Sequence, residues 1–245
     1  MKAYSSLLLS LLLTLSVSVQ AQDNQEQANP DPFEGFNRAM WDFNYLYLDK
    51  YLLRPAATGY ANYVPAPIQS GLYNITLNLE EPSSVVNNLL QWKPEYAANA
   101  TGRFLINSTF GILGIFDVAG QIGLERKQDQ FSEVLGYWGV PDGPYIMMPV
   151  LGPYVTREAT DFVDGLYFPL SEMTLWVSAA KWGIKNLHKR AMALEQDQLI
   201  DGALDPYLFV RESYLQHVNY SVLDGQLPQV NEDDEALEDF MDELD

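Results

Sequence analysis

Residues able to do chemistry are scarce in this 245-residue chain. It has two histidines, His188 and His217, and no cysteine. Disulfides, thiolate catalysis and cysteine-ligated metal are therefore excluded. A zinc site needs a second imidazole or thiolate at ligand spacing, and neither histidine has one; both read as surface or half-buried structural groups on helices. The carboxylate pairs are no more promising. Glu80 and Glu81 are adjacent rather than facing, and Asp161 and Asp164, three apart on a predicted helix, read as a solvated face. There is no G-x-S-x-G elbow, no H-E-x-x-H pair and no glycine loop of the kind that cradles phosphate. A hydrolase holds a nucleophile and a base within reach of each other, and the sequence displays no such set. No catalytic residue, cofactor or metal is expected.

The composition explains where the residues went instead. Hydrophobic residues make up 47% and aromatics 13%, while charged residues are only 19%, below the usual quarter. Such a chain either buries an unusually large core or turns part of its surface to something other than water. The net charge of −19 argues against nucleic acid, whose phosphates need Lys and Arg, and against docking on anionic headgroups through a basic patch. Membrane contact must then come from apolar area. Residues 228–245 hold nine acids and no Lys or Arg, and read as a solvated, disordered tail.

Lys2 followed by the apolar run Leu7–Leu15, too short to span a bilayer, and then Val19-Gln20-Ala21 has the pattern of a signal peptide cut after Ala21. The expected organisation is signal peptide 1–21, polar linker 22–30, helical domain 31–227 and acidic tail 228–245. Asp31-Pro32-Phe33-Glu34 predicts a helix start, with Asp31 as N-cap, Pro32 at the first helical position and Glu34 closing a capping box. The spacing of Phe33, Phe36, Met40, Phe43, Tyr47 and Tyr51 is helical, with Trp41, Tyr45, Leu48 and Leu52 beside it. Only Asn37, Arg38, Asp42 and Asn44 are left for a polar face, and the helix is expected to stop near Arg54-Pro55. Further helices are predicted around Ile68–Leu77, from Glu81-Pro82, from Pro94-Glu95, along a stripe from Met173 to Leu194, and from Asp205-Pro206. Lys181, Lys185, Lys189 and Arg190 lie mainly off the Met173–Leu194 stripe. No run sustains strand alternation. Between them, Phe104–Leu124 is strongly apolar yet punctuated by Gly111, Gly114, Gly120 and Gly123, and Gly and Pro recur through Tyr154. Irregular apolar backbone needs shielding by protein or a place lining a cavity at membrane depth; a tightly packed glycine-rich core turn is the competing reading.

Five blocks, in order, resemble the MlaA (VacJ) family across nearly the whole chain after the signal peptide. They are Asp31-Pro32-Phe33-Glu34-Gly35-Phe36-Asn37-Arg38; Asn78-Leu79-Glu80-Glu81-Pro82 with Asn87 and Leu90-Gln91; Arg103-Phe104 with Asn107-Ser108-Thr109, Gly111, Gly114 and Asp117-Val118-Ala119; Leu135-Gly136-Tyr137-Trp138-Gly139-Val140 with Gly143-Pro144-Tyr145; and Asp205-Pro206-Tyr207 with Val210-Arg211-Glu212. The resemblance implies a mostly α fold, a helical ring in the periplasmic leaflet of the outer membrane around an amphipathic channel. It implies that phospholipid mislocalised in the outer leaflet passes down to a soluble periplasmic carrier, with trimeric porins holding the ring. Phe33, Phe36, Trp41, Phe43, Gly111, Gly114, Trp138, Tyr145 and Met147 are candidates for the channel or membrane wall. Many members of that family are anchored through an acylated cysteine, and this sequence contains none. A soluble periplasmic lipid carrier and, further off, a phospholipase are the alternatives.

Overall fold

A computed structural model describes residues 31–226; the expected signal peptide, linker and acidic tail lie outside the described residues. The fold is mostly α. Helix α1 (Glu34–Asp42) runs unbroken into a π-helical stretch (Phe43–Leu53) and on into α2 (Arg54–Tyr63). Then follow α3 (Ala66–Asn78), α4 (Glu81–Leu90), α5 (Pro94–Thr109) and the short α6 (Val118–Gln121) and α7 (Phe131–Tyr137). Strands β1 (Tyr145–Met148) and β2 (Gly152–Val155) lead to a 3-10 segment (Thr156–Leu166) and a shorter one (Leu170–Glu172). Helix α8 (Leu175–Met192), a 3-10 turn (Ala193–Gln196), α9 (Asp197–Asp201) and α10 (Pro206–Val222) complete the described chain.

Three sequence expectations need correction. The first helix does not end at Arg54-Pro55. A proline ring in an α-helix collides with the carbonyl four residues back, and the proline lacks the N–H that carbonyl would accept. Here the preceding turns are π-wound, and the Arg54 N–H reaches back five residues to the Asp49 carbonyl, which relieves that collision and lets the helix pass through Pro55. Nor does Asp31 cap the helix with Pro32 and Glu34 completing the start. The N-cap is Phe33, with no side-chain cap, while Asp31 is buried and accepts hydrogen bonds from Asn37 Nδ2 (2.6 Å), the Tyr207 hydroxyl and the Arg211 guanidinium (3.2 Å). Third, strands exist where none was read. β1 and β2 form an antiparallel hairpin with Tyr145 opposite Val155 and Met148 opposite Gly152. Four-residue strands carrying Gly and Pro are too short to display alternation.

The hairpin explains the polar residues of α1. Asn37 Nδ2 donates to the Tyr145 carbonyl (3.1 Å) and its Oδ1 accepts from the Met147 N–H (2.8 Å). Seven residues on, Asn44 does the same for the Met148 carbonyl and the Val150 N–H, both at 2.8 Å. Two side chains thus stand in for a third strand along the free edge of β1. The expected narrow polar face therefore turns inward at Asn37 and Asn44, and the aromatics turn outward. Phe36 is 52% exposed, Tyr47 62% and Tyr51 70%.

The inversion is general. Among the described residues, buried polar and charged side chains outnumber buried apolar ones, seventeen to ten. The apolar core is a small cluster of Tyr145, Met147 and Tyr207, with Met40, Trp41, Leu208, Tyr214 and Leu215 against it. Apart from it, the interior is tied by charge. Glu81 accepts from Arg103 Nε (3.0 Å), and Arg103 also bonds Asp117 (3.0 Å). Arg190 bonds both oxygens of Asp49 (2.6 and 2.9 Å) and also Asp197 (3.0 Å). Arg38 spans to Asp205 (2.8 Å), which caps α10 through the Leu208 N–H (3.1 Å), so the last helix does begin where the sequence placed it.

Candidate functional site

The glycine-punctuated midsection resolves into α5, a turn and α6. In the turn, Phe110 is 76% exposed and Leu113 74%, with Ile112 and Phe116 also exposed. It is not a packed core turn. Its backbone, however, is closed on itself: the Gly111 N–H donates to Ile106, Leu113 to Ser108, Gly114 to Asn107 and Phe116 to Gly111. Apolar side chains outward and backbone groups satisfied within is the arrangement a hydrocarbon surround demands. A Cβ on Gly111 would sit 2.2 Å from the Phe116 carbonyl, and one on Gly114, whose φ is +90°, 2.5 Å from Asn78. Ile112 and Leu113 are left-handed as well, with φ of 52° and 56°, a conformation costly for any L side chain and most of all for the β-branched Ile112.

Helix α8 packs against α2 and α3 and separates two clefts, each of about 660 Å³. The apolar cleft is walled by Leu48, Leu52 and Leu53 of the π-helical stretch, Val150 and Leu151 of the hairpin turn, and Leu187 of α8. The polar cleft is lined by Glu80, Asp161, Asp164, Lys181, Lys185 and Lys189. Trp182, Asn186 and Lys189 border both. Four-residue spacing puts Lys181, Lys185 and Lys189 on one face of α8.

Electrostatics divide these charges into spent and unspent. Glu80 accepts from Lys181 (2.7 Å), from Lys185 (2.7 and 2.8 Å) and from Gln128 (3.0 Å). Burial alone would raise its pKa, but Lys185 and Lys181 overcome that and hold the carboxyl at about 2. Asp161 and Asp164 accept the Ser132 N–H (2.7 Å) and Phe131 N–H (3.2 Å), and Asp164 also takes Asn87 Nδ2 (2.7 Å). Burial lifts Asp161 to about 6, against the help of those Ser132 bonds. The solvated face expected for this pair is corrected: the 3-10 segment turns both carboxylates into the cleft. The inward lysines and Glu80 were likewise missed, because a charge paired with a residue about a hundred positions away leaves no local pattern.

The nominated wall residues do not converge on one place. Trp41 and Met147 border the apolar cleft. Tyr145 is buried against Tyr207 and Tyr214. Phe33, Phe36 and Phe43 face outward, and Trp138 is exposed with its Nε1 donating to the Leu90 carbonyl (3.0 Å). Gly111 and Gly114 shape the exposed turn. The motif residues Asn37, Arg38, Asp205, Pro206, Arg211 and Glu212 gather with Asp31 where α1 meets α10, and Pro32 and Gly35 are exposed beside them. Glu81 and Asp117 meet through Arg103, Pro82 lies in the first turn of α4, and Gly136 packs against Arg157 and Val222. His188 is stacked on Tyr73 and hydrogen-bonded to the Tyr60 hydroxyl at 3.2 Å. No helix among the described residues is long and apolar enough to cross a membrane, and no group of acids and histidines among them could hold a metal ion.

Comparison with known proteins gives a consistent result. A family model described as MlaA lipoprotein matches residues 29–221. The intermembrane phospholipid transport system lipoprotein MlaA of Escherichia coli K12 is 38% identical over 242 residues, covering 97% of this chain and 96% of that protein. The protein so named in Haemophilus influenzae is 37% identical over 251 residues, covering 98% of each. A solved structure described as the structural basis for maintenance of bacterial outer membrane lipid asymmetry is 43% identical, with a TM-score of 0.76 over 78% of this chain and 98% of that one.

Proposed function

The chain belongs to the MlaA lipoprotein family, and from that premise we propose that it is the outer-membrane component of an intermembrane phospholipid transport system. In this reading it takes phospholipid mislocalised in the outer leaflet and passes it to a periplasmic carrier, which keeps the outer membrane asymmetric. The observation that carries the reading is the inverted distribution of polarity. Apolar side chains cover the outside while ion pairs and side-chain hydrogen bonds tie the inside. Such a surface suits a chain seated in the periplasmic leaflet without a spanning helix, held by its own apolar girdle and by trimeric porins. The 245 residues include no cysteine, and apolar area of this kind would hold the chain at a membrane without an acyl group, since a single acyl chain gives only marginal anchoring in any case.

Moving a lipid makes and breaks no covalent bond, so the absence of a catalytic set from the sequence is consistent with the role. The paired clefts supply what a conduit needs, an apolar wall for acyl chains beside a polar one for the headgroup. Deleting the gene should raise outer-leaflet phospholipid, and the detergent-extracted protein should come down with a porin. An unchanged outer leaflet in the deletion strain would overturn the proposal. Recovery of the chain as a water-soluble monomer with one lipid enclosed would mark it as a carrier instead.

A further inference from the structure

The two clefts differ in which charges they hold. The apolar cleft offers acyl chains the more continuous hydrocarbon wall, whereas the polar cleft sets its charges among Phe162, Leu170, Met173 and Leu175. Lys189 borders both clefts and makes no ion pair among the described residues. Asp161 and Asp164 border only the polar cleft, and neither is ion-paired among the described residues. The remaining cations there, Lys181 and Lys185, are both committed to Glu80. The apolar cleft thus supplies a hydrocarbon wall, Lys189 at the shared border supplies an ammonium outside any ion pair, and the polar cleft supplies two carboxylates that accept hydrogen bonds but form no ion pair among the described residues. In a glycerophospholipid bearing an amino headgroup the matching groups are acyl chain, phosphate and ammonium.

We propose that this cleft pair selects phospholipids with a zwitterionic, ammonium-bearing headgroup over net-anionic ones, with Lys189 facing the phosphate and Asp161 and Asp164 facing the ammonium. The inference rests on the conduit reading above and adds the class of lipid carried. The lining supports it by its balance. Glu80, Asp161 and Asp164 offset Lys181, Lys185 and Lys189, so the polar cleft has no net charge with which to favour an anionic headgroup. Half-buried carboxylates whose hydrogen bonds only partly offset their desolvation, and which meet no cation in an ion pair, keep a residual cost, which a lipid ammonium would relieve. Burial already pushes Asp161 up to about 6, in keeping with such a cost. Association at partly exposed charges is modest, so the selectivity is expected to be a few-fold and not absolute.

The test loads the full chain, in detergent, from mixed vesicles of equal phosphatidylethanolamine and phosphatidylglycerol, and reads bound lipid by mass spectrometry. The wild-type protein should hold the zwitterionic lipid in about threefold excess. Asp161→Asn keeps an oxygen for the Ser132 N–H and should bring the ratio close to one. Lys189→Gln, at an exposed position outside every ion pair described, should lower total bound lipid without lowering the ratio. Lipid bound at equal amounts by the wild type, or a ratio that Asp161→Asn leaves in place, would overturn the headgroup assignment while leaving the conduit intact. A protein that binds neither lipid would overturn the conduit reading, and this inference with it.

Discussion

The surroundings of Glu80 and the turn from Phe110 to Phe116 are built from opposite materials to solve one problem. Around Glu80, charge is inside: a carboxylate 7% exposed gathers two lysines, a glutamine and, at 3.5 Å, the Arg126 guanidinium. In the turn, hydrocarbon is outside and the backbone looks inward, with the N–H groups of Phe110, Gly111, Leu113, Gly114, Ile115 and Phe116 closed on neighbouring carbonyls. In water the first would be costly and the second would aggregate. Together they make sense for a molecule whose outer surface meets acyl chains. The lesson is that the fold is held by directional polar bonds because apolar contact, which any lipid tail supplies equally well, cannot distinguish inside from outside.

The sharpest way to break the comparison is to remove the charge from inside. Glu80→Gln leaves the Lys181 and Lys185 ammonium groups buried without their counter-ion, a change that typically costs about 3–5 kcal/mol. Denaturant unfolding in detergent should report a loss of that size. Protonation does the same reversibly. The folded carboxyl titrates at about 2 and its ordinary value is 4.5, so its contribution is complete above pH 4.5 and disappears as the pH falls toward 2. From the shift this is on the order of 3 kcal/mol. The same burial pushes Lys185 down, so the cluster as a whole is worth less than the carboxylate's shift alone. Stability that stays flat from pH 5 to pH 2 would mean that the lysines reach water after all.

The opposite manipulation, adding polarity outside, should spare the fold and damage membrane residence. Leu113 is suited to this because its φ of 56° is one that Asn adopts more readily than Leu. Leu113→Asn removes exposed hydrocarbon while easing the backbone. Unfolding free energy should move by less than about 0.5 kcal/mol. Flotation with vesicles should weaken by about tenfold, corresponding to one apolar side chain lost from lipid at about 1.5 kcal/mol. If the variant unfolds readily yet floats as before, the turn is core and its outward apolar surface means nothing.

How far these regions could be read from the sequence follows from the range of the interactions. Helix α10 was legible because Asp205 caps it three residues on, and α4 and α5 because Pro82 and Pro94 mark their starts. The apolar character of residues 104–124 was legible, but not its direction, since outward and inward glycine turns have the same composition. The π-winding that carries the first helix through Pro55 has no local signature. Asp31 looked like a cap because its true partners, Tyr207 and Arg211, are 176 and 180 positions away. The clefts depended on such distant pairings and stayed invisible for that reason.

The smallest effect separates two residues that do the same job in different surroundings. Asn37 bridges a carbonyl and an N–H along the free edge of β1 and Asn44 does so from the end of β1 into the hairpin turn, but Asn37 is fully buried, while the Asn44 bond to Val150 lies at the exposed end of the hairpin. Water can replace Asn44 and cannot replace Asn37. Asn44→Ala should therefore cost only about 1 kcal/mol, near the net worth of an ordinary hydrogen bond, whereas Asn37→Ala strands buried backbone groups and should cost at least about twice that. Equal losses from the two would indicate that the Asn44 end is as dry as the Asn37 end. The apolar cleft, which Asn44 borders, would then have to be filled with something other than water.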